Sequence, residues 1–150
     1  MKDMNKNWYI DQTNTHGKSI FARRKFRKEK MVFSVSGPIV KVPTIYTIPI
    51  SYELFIDPLV PGRYLCHSCN PSCGIRNRIE IVALRDILKG EEINIDYAMI
   101  VSRFGEEMSE KNRICRCGSA RCRGKLGCYD ELPENLKKEY ASFISEYIIS

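Results

Sequence analysis

The sequence predicts one mostly β domain made of several small sheets. Three observations favour this fold class: most of the chain consists of short β-prone runs between turn signals, one run alternates cleanly between apolar and polar residues, and amphipathic helical spacing is found at the C-terminal end. With 150 residues, 43% of them hydrophobic and 28% charged, the chain is long enough for one domain that buries about two-thirds of the surface exposed on unfolding.

Four runs are predicted as strands, at residues 31–36, 46–54, 79–84 and 92–97. They are rich in branched and aromatic residues, and glycine-containing pairs follow the first and the third of them. Pro49 indicates that the second run lies at a sheet edge or is irregular, because proline cannot donate a ladder hydrogen bond.

The run 92–97 has the clearest strand pattern in the chain. Its alternation places Ile93, Ile95 and Tyr97 on one face and Asn94 and Asp96 on the other.

The C-terminal residues 129–150 are predicted to form an amphipathic helix that packs on the domain. Apolar residues recur there at i, i+4, i+7 and i+11, namely at Leu136, Tyr140, Phe143 and Tyr147. Pro133 suits the first helical position and Glu134 suits the positive N-terminal end of the helix.

Composition also bears on a linker, on membrane spans and on the N-terminus. Residues 104–113 are polar and lack periodicity, so we expect them to link the strand-rich body to the cysteines that follow. No stretch approaches the ~18 uninterrupted apolar residues of a membrane span. The first seven residues alternate charge and amide without an apolar core, so no signal peptide and an intracellular location are expected.

The chain carries a formal charge of +6, from 24 Lys and Arg against 18 acidic residues. Six of the bases fall between Arg23 and Lys30, in the run RRKFRKEK. This run is either a solvated turn or a surface that attracts an acidic partner or nucleic acid. Because no base-stacking aromatic array or groove-reading helix accompanies it, sequence-specific nucleic-acid recognition is not expected.

Cysteine spacing indicates a metal site. Cys115, Cys117 and Cys122 lie close together in CRCGSARCRG, a spacing typical of metal ligands. A structural zinc ion takes four protein ligands, so a fourth must come from elsewhere in the chain. Seven cysteines without a secretory signal favour reduced, metal-binding thiols over a disulfide framework.

Three further segments contain candidate functional residues, and their combination is more informative than any one of them. Residues 17–22 (GKSIFA) form a small-residue turn that enters a strand, residues 63–73 (RYLCHSCNPSC) pack a cation, an imidazole and three thiols into a short loop, and residues 90–97 (GEEINIDY) end a strand in a tyrosine. In this order, and followed by the Cys-x-Cys-x4-Cys run, they resemble the SET-domain family of protein lysine methyltransferases with its cysteine-rich post-SET extension.

The resemblance covers about residues 17–126 and implies an organisation of the chain. It implies a SET domain at 1–112, a post-SET zinc-binding segment at 113–128 and the C-terminal helix at 129–150. It also implies a knot-like fold, in which the C-terminal part threads past an earlier loop. No cysteine cluster like that of a pre-SET region precedes residue 17, so a small, minimal member of the family is expected.

The family pattern implies the following site. S-adenosyl-L-methionine is the methyl donor and the side-chain amine of lysine in a protein, a histone or another, is the acceptor. Tyr97 matches the catalytic tyrosine. The implied cofactor contacts are Lys18, Ser19, Arg63, Cys66, His67 and, more weakly, Tyr46. Cys69 is implied to join Cys115, Cys117 and Cys122 on one zinc ion, with Cys73 and Cys128 as rival fourth ligands.

Two departures from the family pattern bear on function. Cys66 replaces an asparagine, and a thiol is a weaker hydrogen-bonding partner than an amide, so a catalytically silent, peptide-binding module is an alternative to the enzyme. A zinc module for nucleic acid is a third reading. Ile95 stands where the family usually has Phe or Tyr, and its smaller side chain predicts higher methylation states.

The sequence does not point to one target protein. Net positive charge does not favour a basic histone tail. Local acidic residues that could attract such a tail are Glu91, Glu92, Glu106 and Glu107.

Overall fold

A computed structural model describes residues 5–105 and 110–150. Within them the fold consists of short strands in three small sheets, with short helices at the C-terminal end. The elements are β1 Trp8–Gln12, β2 Lys18–Ala22, β3 Met31–Ser34, β4 Ile39–Val40, β5 Ile48–Pro49, β6 Phe55–Ile56, β7 Cys66–His67, β8 Cys73–Arg76, β9 Glu80–Ala83, β10 Glu92–Ile95, α1 Glu134–Tyr140 and α2 Glu146–Ile149. The mostly β fold class predicted from the sequence is confirmed.

The sheets have the orders β1-β2-β10-β7, β3-β9-β8 and β4-β6-β5. Gly17 makes the turn into β2 in the left-handed region, at φ 79°, which glycine adopts without steric cost. In the first sheet β10 is antiparallel to β2 and parallel to β7. This strand order places the segments 17–22, 63–73 and 90–97 side by side.

The predicted strands at 31–36 and 79–84 correspond to β3 and β9, each shorter than the sequence pattern. The run 46–54 was predicted too long, since within it only Ile48 and Pro49 pair with another strand. Pro49 lies on β5, an edge strand, as its missing N–H requires.

The predicted alternation along 92–97 holds only as far as Ile95. Ile93 and Ile95 are fully buried, but so is Asp96, which the pattern places on the opposite face. Tyr97 opens a 3-10 turn, Tyr97–Met99, capped by the Asp96 carboxylate through the N–H of Ala98. The strand therefore ends before Asp96, and a buried carboxylate lies directly beside the predicted catalytic tyrosine.

The basic run after β2 is anchored by one apolar residue. Phe26 is buried and bridges to Ile87, and the Arg24 guanidinium stacks over its ring at 4.1 Å. Four other bases of the run, Lys25, Arg27, Lys28 and Lys30, have no described carboxylate within ion-pair distance.

None of the helices in the described ranges is long and apolar enough to cross a membrane.

The prediction of one continuous C-terminal helix is wrong, although its four apolar residues are all buried as expected. α1 ends at Tyr140, Ala141 takes φ 23°, and Ile144 is extended before α2 begins. The N–H of Ser145 donates to the Met99 carbonyl at 2.8 Å, so a bond to the body replaces a helical bond. Pro133 precedes α1 in an extended conformation instead of opening the helix.

The predicted linker at 104–113 is only partly described, because residues 106–109 lie outside the described residues. Its last residue is not a solvated linker residue: Arg113 is 5% exposed and makes two bonds to the Glu131 carboxylate, at 2.6 and 3.1 Å. The segment after it closes on itself through a bridge between Ile114 and Lys125.

Gly74 in β8 provides the tight contact between the sheet and the C-terminal turn. A Cβ added there would lie 2.4 Å from the Cβ of Phe143, well inside van der Waals contact. We expect Gly74→Ala to lower the free energy of unfolding by about 1–3 kcal/mol through overpacking. Chemical denaturation measures this change.

The comparison variant is Gly127→Ala, whose added Cβ would meet the flexible Arg123 Nη2 atom at 3.3 Å; because that atom also pairs with Asp96, we expect a smaller but measurable loss there. Equal losses for both variants would contradict the close packing of Phe143 on β8.

Candidate functional site

Four thiols from two distant parts of the chain meet at one point. The Sγ atoms of Cys69, Cys115, Cys117 and Cys122 all lie within 4.8 Å of one another, and those of Cys69 and Cys115 are 3.8 Å apart. A tetrahedral Zn–S₄ centre with bonds of about 2.3 Å has sulfur atoms about 3.8 Å apart. The donor set and its spacing therefore fit a structural zinc ion.

Backbone amides and burial set the electrostatics of these thiols. The N–H of Arg123 donates to Cys69 Sγ and that of Gly124 to Cys122 Sγ, each at 3.4 Å. Burial raises the pKa of Cys69 and of Cys115. Burial also acts to raise the pKa of Cys117, but backbone hydrogen bonds and the neighbouring thiols outweigh it and lower that pKa to about 7. Cys117 is therefore the thiol that most readily becomes a thiolate.

The two rival ligands lie outside this cluster. Cys73 is fully buried in β8, where the Ser72 hydroxyl contacts its sulfur at 3.9 Å, and burial raises its pKa to about 12. Cys128 is 2% exposed. Among the described residues, neither belongs to a group of potential metal ligands.

The His67 ring connects the thiol cluster to the tyrosine that follows β10. Its Nδ1 accepts the backbone N–H of Tyr97 at 3.0 Å, so the proton of the neutral ring lies on Nε2, which faces Cys69 Sγ at 3.3 Å. Burial lowers the pKa of His67 to about 4, and the ring is therefore neutral at physiological pH. His67 is thus a bridging residue, not a general base.

Tyr97 lies partly buried at the centre of this region. Its hydroxyl donates to the Leu65 carbonyl at 3.3 Å, and its ring is 5.1 Å from that of His67. Burial, with a smaller contribution from Cys66, raises the pKa of Tyr97 to about 12. The phenol therefore keeps its proton at neutral pH.

Asp96 connects three parts of the chain beneath Tyr97. Its carboxylate accepts the Tyr140 hydroxyl of α1 at 2.9 Å and forms an ion pair with Arg123 of the cysteine-rich segment at 2.7 Å. His67 Nδ1 lies 3.7 Å away on the other side. The Asp96 side chain is fully buried, so these partners replace its hydration.

The glycine turn, β7 and β10 form a second polar cluster. Glu92 accepts the Ser19 hydroxyl at 2.6 Å and contacts His16 Nε2 at 2.8 Å, through the same carboxylate oxygen. The Cys66 thiol contacts the carbonyls of Tyr64 at 3.3 Å and Lys18 at 3.7 Å. Lys18, Ser19 and Cys66, three of the residues expected at a cofactor site, are thereby brought together.

Arg63 and Tyr46, two more of the expected cofactor residues, pair with each other. The Arg63 guanidinium stacks over the Tyr46 ring at 3.9 Å and lies 3.8 Å from Asp57 in a half-exposed ion pair. Arg63 belongs to the 3-10 turn Gly62–Tyr64, which packs beside β2. The guanidinium is therefore accessible to solvent, on a turn that lies beside β2.

The sequence did not predict the residues of the Asp96 network, which lies next to Tyr97. Asp96, Arg123 and Tyr140 were not predicted as site residues. The signal available for Asp96 was its place directly before the matched tyrosine, where the helical-cap position requires a short acceptor side chain.

Comparison with solved structures defines the class of fold. The chain is similar to KRYPTONITE, solved in complex with mCHH DNA, an H3(1-15) peptide and SAH, with a TM-score of 0.68 over 84% of this chain and 30% of that one, at 19% identity. The architecture is thus one already known among solved proteins.

Comparison of sequences identifies the family. The SET domain profile matches residues 17–98, more than half of the chain, and the chain belongs to the SET domain family. It is 32% identical over 118 residues to an H3 lysine-36 specific histone-lysine N-methyltransferase of Cryptococcus neoformans, and 26% identical over 159 residues to histone-lysine N-methyltransferase ASHH3 of Arabidopsis thaliana. These matches cover 72% and 89% of this chain, but only 13% and 42% of the two relatives.

The Asp96 network generates a stability prediction. Asp96→Asn leaves the Arg123 guanidinium without its carboxylate in a mostly buried site, and we expect the free energy of unfolding to fall by about 3 kcal/mol. Tyr140→Phe removes one neutral donor to that carboxylate and should cost less, about 2 kcal/mol, since the lost hydrogen bond has a charged acceptor. Urea denaturation of both variants measures the difference, and a larger loss for Tyr140→Phe would contradict the central place of the ion pair.

Proposed function

We propose that this chain is a protein-lysine N-methyltransferase that uses S-adenosyl-L-methionine. The observation that carries the proposal is the position of the Tyr97 hydroxyl, 3.3 Å from the Leu65 carbonyl, where the loop 63–73 meets the end of β10 in a SET domain. The curated relatives are named histone-lysine N-methyltransferases, which supports the reaction class.

Tyr97 is the proposed catalytic residue. Its phenol remains protonated at neutral pH, because burial raises its pKa to about 12, and its O–H bond is directed to Leu65 O. Two oxygen atoms, one from the phenol and one from the carbonyl, are therefore fixed side by side. They can accept the N–H bonds of an incoming lysine amine and so aim its lone pair.

The substrate amine must be neutral before it can attack. The ordinary pKa of a lysine side chain is about 10.4, and an apolar surrounding lowers it because burial disfavours the ammonium form. The His67 ring next to Tyr97 is neutral and adds no charge there. The Ile93 and Ile95 side chains of β10 are fully buried and anchor the strand in the core. The proton leaves to solvent, since no residue of this site is proposed as a general base.

The proposed cofactor site uses residues 17–19, the loop 63–67 and Tyr46. When bound, S-adenosyl-L-methionine supplies an electrophilic methyl group. The backbone of Lys18 and Ser19 follows the left-handed Gly17 turn, and the adjacent Cys66 and His67 belong to β7. Arg63, stacked on Tyr46 with its charge accessible, is the proposed partner of a carboxylate.

The proposed metal site is one zinc ion held by Cys69, Cys115, Cys117 and Cys122. Its supports are the four thiols within 4.8 Å of one another and the backbone amides directed at two of the sulfurs. Because Cys69 belongs to the loop that contains Cys66 and His67, the metal would fasten the cysteine-rich segment to that loop. A thiolate site requires reduced cysteines, which supports an intracellular location as part of this proposal.

The proposed division of the chain keeps a SET domain at 1–112, a post-SET segment at 113–128 and a C-terminal region at 129–150. The hydrogen bond from the Cys115 N–H to the Gly124 carbonyl supports the second unit, because it closes that segment on itself. The knot-like threading remains a prediction.

The target is a lysine in a protein or peptide, with histones supported by the relatives' names. Of the acidic residues expected to attract a basic tail, Glu91 pairs with Arg85 at 2.8 Å and Glu92 with Ser19 and His16, while Glu106 and Glu107 lie outside the described residues.

The basic run from Arg23 to Lys30 offers nucleic acid a non-specific contact. The expectation of higher methylation states at Ile95 remains a prediction.

A catalytically silent peptide-binding module is the second candidate. It is favoured by Cys66, whose thiol contacts backbone carbonyls and offers no amide to a cofactor. Calorimetric titration with S-adenosylhomocysteine separates the two candidates. Absence of binding by the zinc-loaded protein would support the silent module.

We expect Tyr97→Phe to lower methyl transfer about 100-fold or more, because the hydroxyl that aims the amine is lost. Binding of S-adenosylhomocysteine should stay within about threefold of the unmodified protein, since the phenol is not among the proposed cofactor contacts. Transfer to a peptide array measured by mass spectrometry, together with calorimetry, tests both expectations. Full transfer by the variant would exclude Tyr97 as the catalytic residue.

Removal of zinc should affect structure and activity together. We expect a chelator to release one tightly held zinc ion per chain, to lower methyl transfer, and to raise hydrogen exchange in residues 114–126 more than in β2 and β10. Cys117→Ser should reproduce the change in exchange. Equal protection of both regions after zinc removal would argue against a metal that fastens this segment.

A further inference from the structure

A second group of potential metal ligands lies outside the four-thiol cluster. The ligand atoms of His16, Cys66 and Glu92 are all within 4.8 Å of one another. They come from the β1–β2 turn, from β7 and from β10. Because β2, β10 and β7 are neighbours in one sheet, the fold itself keeps these three ligands together.

Outer hydrogen bonds orient two of the three side chains. His16 Nδ1 accepts the Thr15 hydroxyl at 2.7 Å, and its Nε2–H donates to Glu92 at 2.8 Å. When a cation takes up the Nε2 lone pair, the ring proton moves to Nδ1, whose N–H then donates to the Thr15 oxygen. The Ser19 hydroxyl donates to the Glu92 carboxylate at 2.6 Å. Histidine and carboxylate ligands of metals are held by such partners, which fix the tautomer and the orientation.

The donor types fit a thiophilic divalent cation. Imidazole nitrogen, thiolate sulfur and carboxylate oxygen are all zinc ligands, and three protein ligands leave a fourth position for water or another ligand. His16 is one-third exposed, so solvent reaches the cluster. We propose that His16, Cys66 and Glu92 form a second, open zinc site at the edge of the first sheet.

Binding of a divalent cation at this site exchanges one proton and changes no oxidation state. The cation replaces the thiol proton of Cys66, which is released to solvent, and takes up the Nε2 lone pair of His16 and an oxygen of Glu92. The present contact between Nε2 and the carboxylate, 2.8 Å long, would open to admit the ion. No oxidation or group transfer takes part.

One consequence rests on the proposed function. Lys18, Ser19 and Cys66 are proposed cofactor contacts, and the new site shares Cys66 with them and a hydrogen bond with Ser19. A metal ion here and the cofactor would therefore exclude each other. Free zinc would then act as an inhibitor, distinct from the zinc that holds the four-thiol site.

Cobalt(II) titration of protein loaded with one equivalent of zinc, which fills the four-thiol site and leaves the second site free, tests the second site itself. Cobalt binds such ligands more weakly than zinc, so it leaves the four-thiol site filled and reports on an additional thiolate through a charge-transfer band. We expect that band in the unmodified protein and in Cys128→Ser, its loss in Cys66→Ser and His16→Ala, and about tenfold weaker cobalt binding in Thr15→Ala. Thermal unfolding of each zinc-loaded variant checks that it is folded.

Two results would overturn the proposal: no charge-transfer band at millimolar cobalt, or a band that survives Cys66→Ser and so arises from metal exchange at the four-thiol site. A second measurement addresses the cofactor. At a zinc concentration that weakens S-adenosylhomocysteine binding about tenfold in the unmodified protein, we expect only about twofold weakening in Thr15→Ala, because metal binding by that variant is about tenfold weaker. If the unmodified protein binds no S-adenosylhomocysteine at all, the proposed function fails while the cobalt result still decides the metal site.

Discussion

The buried carboxylate of Asp96 is the contact on which the arrangement of the site depends. Fully removed from water, it must find its hydrogen-bond and charge partners inside the protein, and it finds them in three separate segments: its own strand end, the cysteine-rich segment through Arg123, and α1 through Tyr140. Since each partner satisfies part of the same charge, the strand end, the segment and the helix cannot move independently without leaving it unpaired. This is why the residue next to Tyr97 is charged although it lies in the core.

A second connection runs through His67. Its ring joins the backbone of Tyr97 to the sulfur of Cys69, while the Arg123 N–H reaches the same sulfur from the other side. Arg123 thus contacts both Asp96 and Cys69, one through its side chain and the other through its backbone. Together these contacts make a closed ring from Tyr97 to the four-thiol cluster and back, so that a zinc ion at the proposed metal site would help to hold the proposed catalytic tyrosine in place.

The sequence allowed the positions of the motif segments to be predicted, but not the contacts behind them. The segments 17–22, 63–73 and 90–97 could be predicted because each has a recognisable local pattern, and they contribute neighbouring strands of the first sheet. The four-thiol cluster could be predicted from the cysteine spacing together with the family resemblance. Asp96 escaped prediction because alternation along a strand places it on the polar face, and only the 3-10 turn at Tyr97 reverses that. The helix break at Ala141 escaped because side-chain periodicity says nothing about Met99, whose carbonyl takes the N–H of Ser145.

The replacement of an asparagine by Cys66 changes which ligands the loop 63–73 can bind. An amide at this position would offer both a donor and an acceptor, whereas the thiol only makes weak contacts to the carbonyls of Tyr64 and Lys18. A thiol placed near His16 and Glu92 also adds a soft donor to an imidazole and a carboxylate, which an amide would not do. If both proposed sites exist, the Cys66 sulfur would therefore weaken cofactor binding and favour metal binding, and the balance between them would depend on the concentration of free metal.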